Sequence, residues 1–321
     1  MSRKMLIDSD TASDDAVAIL MAAQNKEIEL LGVTIVSGNV PVKIGVKNAL
    51  YTLEIAKSDV PVFMGLEKPF IQPKKHAFWY HGSDGMGEKN YPLPKKKCRK
   101  EHAVETIISL AKEHKHEIEL VTLGPLTNLA AALIKAPEIG QMFKRVVMMA
   151  GSSGFIGNVT PTAEYNVWCD PEAAAIVFGS KINMEMVGWE VALNEAILFQ
   201  KDIDKILNLS TPLSKFAIEC NIHALRASSD WLGESGLIQN DPVAMAIAIA
   251  PDLSEKSGRY KVDVELNGKL TRGMTVVDER NVVGTVPGFT DEWRIRKNNI
   301  LVHHKINSLG WKNLLLKSLS K

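Results

Sequence analysis

Short apolar runs, many of them β-branched, alternate with stretches of helical periodicity along most of this chain. Strand-like segments fall at Lys4–Asp8, Ile28–Gly38, Glu117–Gly124, Arg145–Gly151 and Ile182–Gly188. Helix-like segments fall between them, at Asp15–Gln24, Pro41–Ala56, His102–Glu113, Leu126–Lys135 and Pro171–Phe178. The strand runs are nearly continuous in apolar residues, as strands covered on both faces are. The rhythm therefore predicts an α/β fold: a mostly parallel central sheet with helices on both faces. The region Lys201–Ala250 reads as purely helical, and "YKVDVELNGKLTRGMTVV" as a C-terminal hairpin turning at Asn267-Gly268. A helix near Leu309–Leu319 closes the chain. With no Pro/Ser-rich linker and no internal repeat, residues 1–321 are expected to form a single domain.

Composition removes several functional classes. The 321 residues are 45% hydrophobic with a net charge of +1, which suits a globular core and offers no field for nucleic acid or an anionic membrane. The basic run Pro94–Lys100 is short and isolated and reads as a solvated loop. Cys98, Cys169 and Cys220 are widely spaced, so neither a disulfide framework nor a zinc site is expected, and a reducing cytoplasm fits. The N-terminus carries no signal-peptide pattern, and no apolar run reaches the ~18 residues of a membrane span. Residues 65–100 are weakly periodic yet rich in aromatics and glycines, and include His76, Trp79 and His81. They read as a substrate lid, with an ordinary surface loop as the alternative.

The chemistry concentrates at strand ends. "IDSDTASDDAVAIL" places Asp8 and Asp10 at the end of the first strand and Asp14-Asp15 at the start of the first helix. An acidic helix cap explains one or two of these aspartates but not four. Hard oxygen ligands at this density suit calcium or magnesium. Further polar residues follow other strands: Asn39 in "VSGNV", Thr127-Asn128 in "TLGPLTNLA", Asn158, Glu164 and Asn166 in "GNVTPTAEYNVWCDPEAA". "QNDPVAMAIA" opens a helix with Asn240 and Asp241. An EF-hand fails on spacing, since Ser13 and Ile19 stand where it needs Gly and Glu. "IDSD" meets the minimal D-x-D of a haloacid-dehalogenase-type phosphatase but lacks its Gly-Thr continuation, so that class stands second. Phosphate-loop, G-x-S-x-G and H-E-x-x-H motifs are absent.

Taken in order, "DSDTASDDAVAIL", "SGN", "LGPLTNLA", "GNVTPTAEYNVWCDPEAA" and "NDPVAMA" resemble the nucleoside hydrolases of the inosine–uridine-preferring superfamily. The resemblance runs through "VELNGKLTRGMTVVD", almost the full chain. It implies calcium-dependent hydrolysis of the N-glycosidic bond of ribonucleosides by an oligomer, usually a dimer or tetramer. It implies calcium ligands at Asp10, Asp15, Asp241 and the Leu123 carbonyl, and a general base at Asp10. Asp14, Asn39, Asn158, Glu164 and Asn166 match the positions that hold ribose, and Asp8 a position that orients the ligands.

One departure stands at Asn240, where the resemblance leads one to expect a histidine or a stacking aromatic. Asparagine donates a hydrogen bond but is a poor acid. Tyr165, His223, Arg226 and Trp231, with His76, Trp79 and His81 of the lid, are then candidates for contact with the base, His223 as a leaving-group acid beside Asn240; the alternatives are a structural histidine at His223 and a core or pocket-wall residue at Trp231. Trp168, Trp189 and the Met148-Met149 pair read as core. The same departure keeps open a non-catalytic protein that binds ribose or nucleosides.

Overall fold

The computed structural model describes residues 2–154, 156–233, 235–280 and 297–321; the side chain of Trp231 lies outside that description. Its strands are β1 (Arg3–Ser9), β2 (Ile28–Ile35), β3 (Val62–Met64), β4 (Glu119–Thr122), β5 (Arg145–Met149), β6 (Met184–Val187), β7 (Ile197–Leu198), β8 (Leu237–Ile238), β9 (Ser254–Val264), β10 (Thr275–Asp278) and β11 (Ile300–Ile306). The helices are α1 (Ser13–Ala23), α2 (Val42–Ile55), α3 (Phe78–His81), α4 (Ala103–Glu113), α5 (Thr127–Lys135), α6 (Tyr165–Cys169) and α7 (Pro171–Phe178). They continue as α8 (Trp189–Glu195), α9 (Gln200–Asn208), α10 (Pro212–Glu219), α11 (Ile222–Leu232), α12 (Asn240–Ile249) and α13 (Ser308–Leu319).

Among the described residues, nine strands form one sheet in the order β10-β9-β11-β6-β5-β4-β1-β2-β3. From β11 to β3 every neighbour pair is parallel; β9 runs antiparallel to both β11 and β10. Side chains alternate across the pleat and feed two cores. Met5 and Ile7 pack with α1, α2 and α12 on one face, while Leu6 packs with α4, α5 and α7 on the other. This is the expected covered parallel sheet. Among the described residues no helix is long and apolar enough to cross a membrane.

Three details differ from the sequence reading. Lys201–Ala250 is not wholly helical, because β8 pairs antiparallel with β7 ahead of α12. The hairpin does not turn at Asn267-Gly268. Its strands end at Val264 and Thr275, and the Glu265 carboxylate gathers the Asn267 and Gly268 amides at 2.7 and 2.8 Å inside a longer loop. β11, sitting between β6 and β9, was not foreseen, because His303-His304 interrupts its apolar pattern. In the interior, His303 has its Nδ1 2.7 Å from the Ser254 hydroxyl and its Nε2 facing the Glu185 carboxylate at 3.4 Å.

The parallel order collects the carboxyl ends of β1, β2, β4 and β5 at one rim, where such sheets bind ligands. α12 reaches that rim with its N-terminus. Its other end is held by Arg145, which donates to the Ala248 carbonyl at 2.6 Å, and by Arg3, which donates to Ala248 and Ile249 at 3.0 and 2.8 Å. Those last carbonyls have no partner within the helix, so the arginines cap it.

Candidate active site

The turn between β1 and α1 is shaped by its own polar residues. Ser9 Oγ donates to Asp15 Oδ1 at 2.7 Å, and the Ala12 amide donates to Asp15 Oδ2 at 2.9 Å. Asp15 therefore serves as a helix cap as well as an acid. Asp10 Oδ2 accepts the Asn39 amide at 2.5 Å, whereas its buried Oδ1 has no hydrogen-bond partner among the described residues. Asp8 Oδ1 accepts Thr34 Oγ1 at 2.6 Å and Asn128 Nδ2 at 2.8 Å from below. Asp14 Oδ1 is also buried, with no hydrogen-bond partner among the described residues.

Asp241, from α12, joins this group across the sheet rim. Carboxylate oxygens of Asp14, Asp15 and Asp241 lie within 4.8 Å of one another, and Asp15 is within hydrogen-bonding reach of both Asp10 and Asp241. Burial is the main cause that raises every one of these acids: Asp8 and Asp14 to about 7, Asp10 and Asp241 well above the usual carboxylate range. Repulsion from Asp15 adds to the rise at Asp10, Asp14 and Asp241. Buried, mutually repelling carboxylates with unpaired oxygens form an all-oxygen donor set that a hard divalent cation fits. Asp14 stands closer to this cluster than the sequence suggested. The Leu123 carbonyl, expected as a ligand, already accepts Asn166 Nδ2 at 3.0 Å, leaving one of its two lone pairs.

Asp10 is held in a cradle that only glycines leave open. A Cβ at Gly38 would overlap Asp10 Oδ2, and one at Gly124 would sit 2.8 Å from Oδ1. Gly38→Ala is expected to displace this carboxylate and lower turnover by about 10²-fold, the order that a 1 Å misplacement costs. Turnover by the purified variant, alongside its melting temperature, checks this.

The acids open onto a cavity of about 530 Å³ of empty space, part of it continuous with solvent. Asp14, Asn39, His81, Leu123, Asn158, Glu164, Tyr165, Asn166, Asn240 and Asp241 all line it. Glu164 caps α6, accepting the Asn166, Val167 and Gly151 amides at 2.8, 3.2 and 2.8 Å, and burial raises it to about 7. Asn158 Oδ1 accepts the Tyr165 amide at 2.9 Å, and the Tyr165 hydroxyl donates to the Gly38 and Lys75 carbonyls at 3.1 Å each. Asn240 presents a buried Oδ1 with no hydrogen-bond partner among the described residues.

The structure does not bring every candidate to the cavity. Asp10 and Asp15 lie behind its wall. His223 does not line it; its Nδ1 faces the Tyr80 carbonyl at 3.2 Å, so it backs the wall. Arg226 is exposed on α11, away from the lining. His81 is buried, 2.8 Å from Ser13 Oγ and 3.9 Å from Asp14 Oδ1. Burial and the neighbouring His223 lower it to about 3, so near neutrality its contact with Asp14 is not an ion pair. Tyr80 and Trp189 line the cavity and were missed; the run "HAFWYH" carried the signal for Tyr80, but Trp189 read as core. Thr34 and Asn128, which hold Asp8, gave only a faint signal as polar residues at strand ends. Asp8 itself is wholly buried and outside the lining, a poor position for a phosphatase nucleophile.

Comparison with known proteins agrees with this geometry. Residues 5–310 match the family described as "Inosine-uridine preferring nucleoside hydrolase". The chain is 38% identical over 283 residues to the inosine-uridine preferring nucleoside hydrolase of Leishmania major, covering 87% of this chain and 89% of that one. It is 33% identical over 322 residues to the pyrimidine-specific ribonucleoside hydrolase RihA of Shewanella sp. (strain MR-7), covering 100% and 97%. A solved plant nucleoside hydrolase superposes with a TM-score of 0.92 at 28% identity, over 100% of this chain and 99% of that one. The purine-preferring ribonucleoside hydrolase of Gardnerella vaginalis gives 0.89 at 30% identity, over 99% and 98%.

Proposed function

Because this chain belongs to the inosine-uridine preferring nucleoside hydrolase family of ribonucleoside N-glycosidases, we propose that it splits ribonucleosides into free base and ribose with calcium at the aspartate cluster. The observation that carries this reading is the set of buried carboxylates with unpaired oxygens at the wall of an amide-lined and aromatic-lined cavity. Asp10, Asp15, Asp241 and the Leu123 carbonyl would hold the ion, with Asp14 beside them. When bound, calcium orients a water, lowers its pKa and grips ribose hydroxyls.

The protein's own groups account for the rest. Asp10 takes the proton of the attacking water as general base. Asp14, Asn39, Asn158, Glu164 and Asn166 hold the sugar hydroxyls. As the glycosidic bond lengthens, positive charge grows on the ribose, as in glycoside hydrolysis, and the surrounding carboxylates and amide oxygens stabilise it more than the ground state. No covalent nucleophile is required. The base leaves toward Tyr165, Trp189 and the α3 residues, and Asn240 offers its departing atoms a hydrogen bond rather than a proton.

The test is a panel of purine and pyrimidine ribonucleosides, assayed as free ribose with and without a chelator. Chelator-sensitive release of ribose from at least one member is the expected result. Ribose binding without release of base from any member overturns the catalytic reading.

A further inference from the structure

α3 is four residues long, too short to be stable through its own hydrogen bonds, yet Trp79, Tyr80 and His81 from it all line the cavity. Anchors outside the turn must therefore fix it. One is the contact of His81 with Ser13 of α1. Two more come from α11. The Tyr80 hydroxyl and Ser228 Oγ meet at 2.9 Å, with Ser228 wholly buried and Tyr80 nearly so. His223 Nδ1 lies 3.2 Å from the Tyr80 carbonyl, and because a carbonyl only accepts, the hydrogen is on Nδ1. Residues 223 and 228 thus grip one tyrosine, the first by its backbone and the second by its ring.

We infer that Ser228 and His223 are positioning residues for the nucleobase: acting through Tyr80, they tie α3 to α11 and make the aromatic wall of the cavity a single unit with that helix. The inference rests on the nucleoside-hydrolase reading for what the wall contacts, and on geometry alone for the tie. It gives His223 a task other than donating a proton to the leaving base. It also changes the role of the 65–100 connection, whose cavity-facing turn is held from α11 rather than swinging as an independent flap. Removing one hydroxyl would leave the other buried without a partner, and the wall would relax to restore it.

Ser228→Ala tests this against Ser228→Thr, which keeps a hydroxyl. In Ser228→Ala the KM for inosine is expected to rise about tenfold, the upper end for one lost hydrogen bond, while inhibition by free D-ribose stays within about twofold. Hydrogen exchange is expected to quicken in peptides spanning 77–82 and to stay unchanged in α1 and α12. Ser228→Thr should restore both. Tyr80→Phe should match Ser228→Ala, and the double variant should add nothing, since the two groups form one interaction. Unchanged exchange at 77–82, or ribose inhibition weakening in parallel with KM, overturns the tie. Failure of the wild-type protein to release ribose from any nucleoside of the panel would count against the proposed activity instead, because the exchange readout needs no turnover.

Discussion

Asp10→Asn is expected to lower ribose release by about 10³-fold or more, at the upper end of what a positioned general base contributes. The substitution is nearly isosteric, and its carboxamide oxygen can still accept the Asn39 amide that Asp10 Oδ2 accepts at 2.5 Å. What is lost is the unpartnered Oδ1 as a proton acceptor and one negative charge in a crowded cluster. Loss of that charge relieves repulsion with Asp15 and Asp14. The chelated variant should therefore melt no lower than the chelated wild type, which separates a catalytic defect from a folding defect. Single-turnover ribose release and a thermal melt of both proteins check the pair of outcomes. Turnover near the wild-type rate would remove Asp10 from the role of base.

Metal removal should have an effect of similar size, and its pH dependence carries a sign. Asp8, Asp14 and Glu164 titrate near 7 in the fold, mainly through burial, against about 4 in an unfolded chain. Between those values the folded, metal-free protein holds more protons than the unfolded one, so its stability falls as pH rises. These groups weigh least against the fold below about pH 4 and most above pH 7. Calcium binds only the deprotonated carboxylates, so its stabilisation grows with pH and opposes that trend. The expected result is a chelated protein that melts progressively lower from pH 5 to pH 8, and a calcium-loaded one in which the decline is offset or reversed. Ribose release should fall to background under chelation and return with added calcium. A chelator that alters neither turnover nor the slope of melting temperature with pH would show that the cluster works without a cation.

Several features of the site could be read from residues close together in the chain. Asp8, Asp10, Asp14 and Asp15 fall within one strand-turn-helix unit, where spacing alone puts them at a strand end. Pro171–Phe178 matches α7 because an aspartate cap and an N-terminal proline mark its start. Other features were misread for reasons of packing. β11 was hidden because its two histidines break the apolar run, and only pairing between β6 and β9 makes sense of them. Trp189 read as core, and it is indeed buried, but one of its surfaces faces the cavity. Burial and function are not exclusive for a ring of that size.

By itself the sequence determined the parallel α/β architecture and the acidic, amide-rich character of the rim. Apolar periodicity is local and survives without knowledge of the neighbours. Tertiary structure decided which groups meet. The order β5-β4-β1-β2 and the placing of α12 bring Asp241 to Asp14 and Asp15, and the packing of α11 against α3 puts His223 behind Tyr80 rather than in the cavity. Such meetings join residues far apart in the chain, and no local pattern encodes them. They follow from the strand order and from the packing of helices on both faces of the sheet.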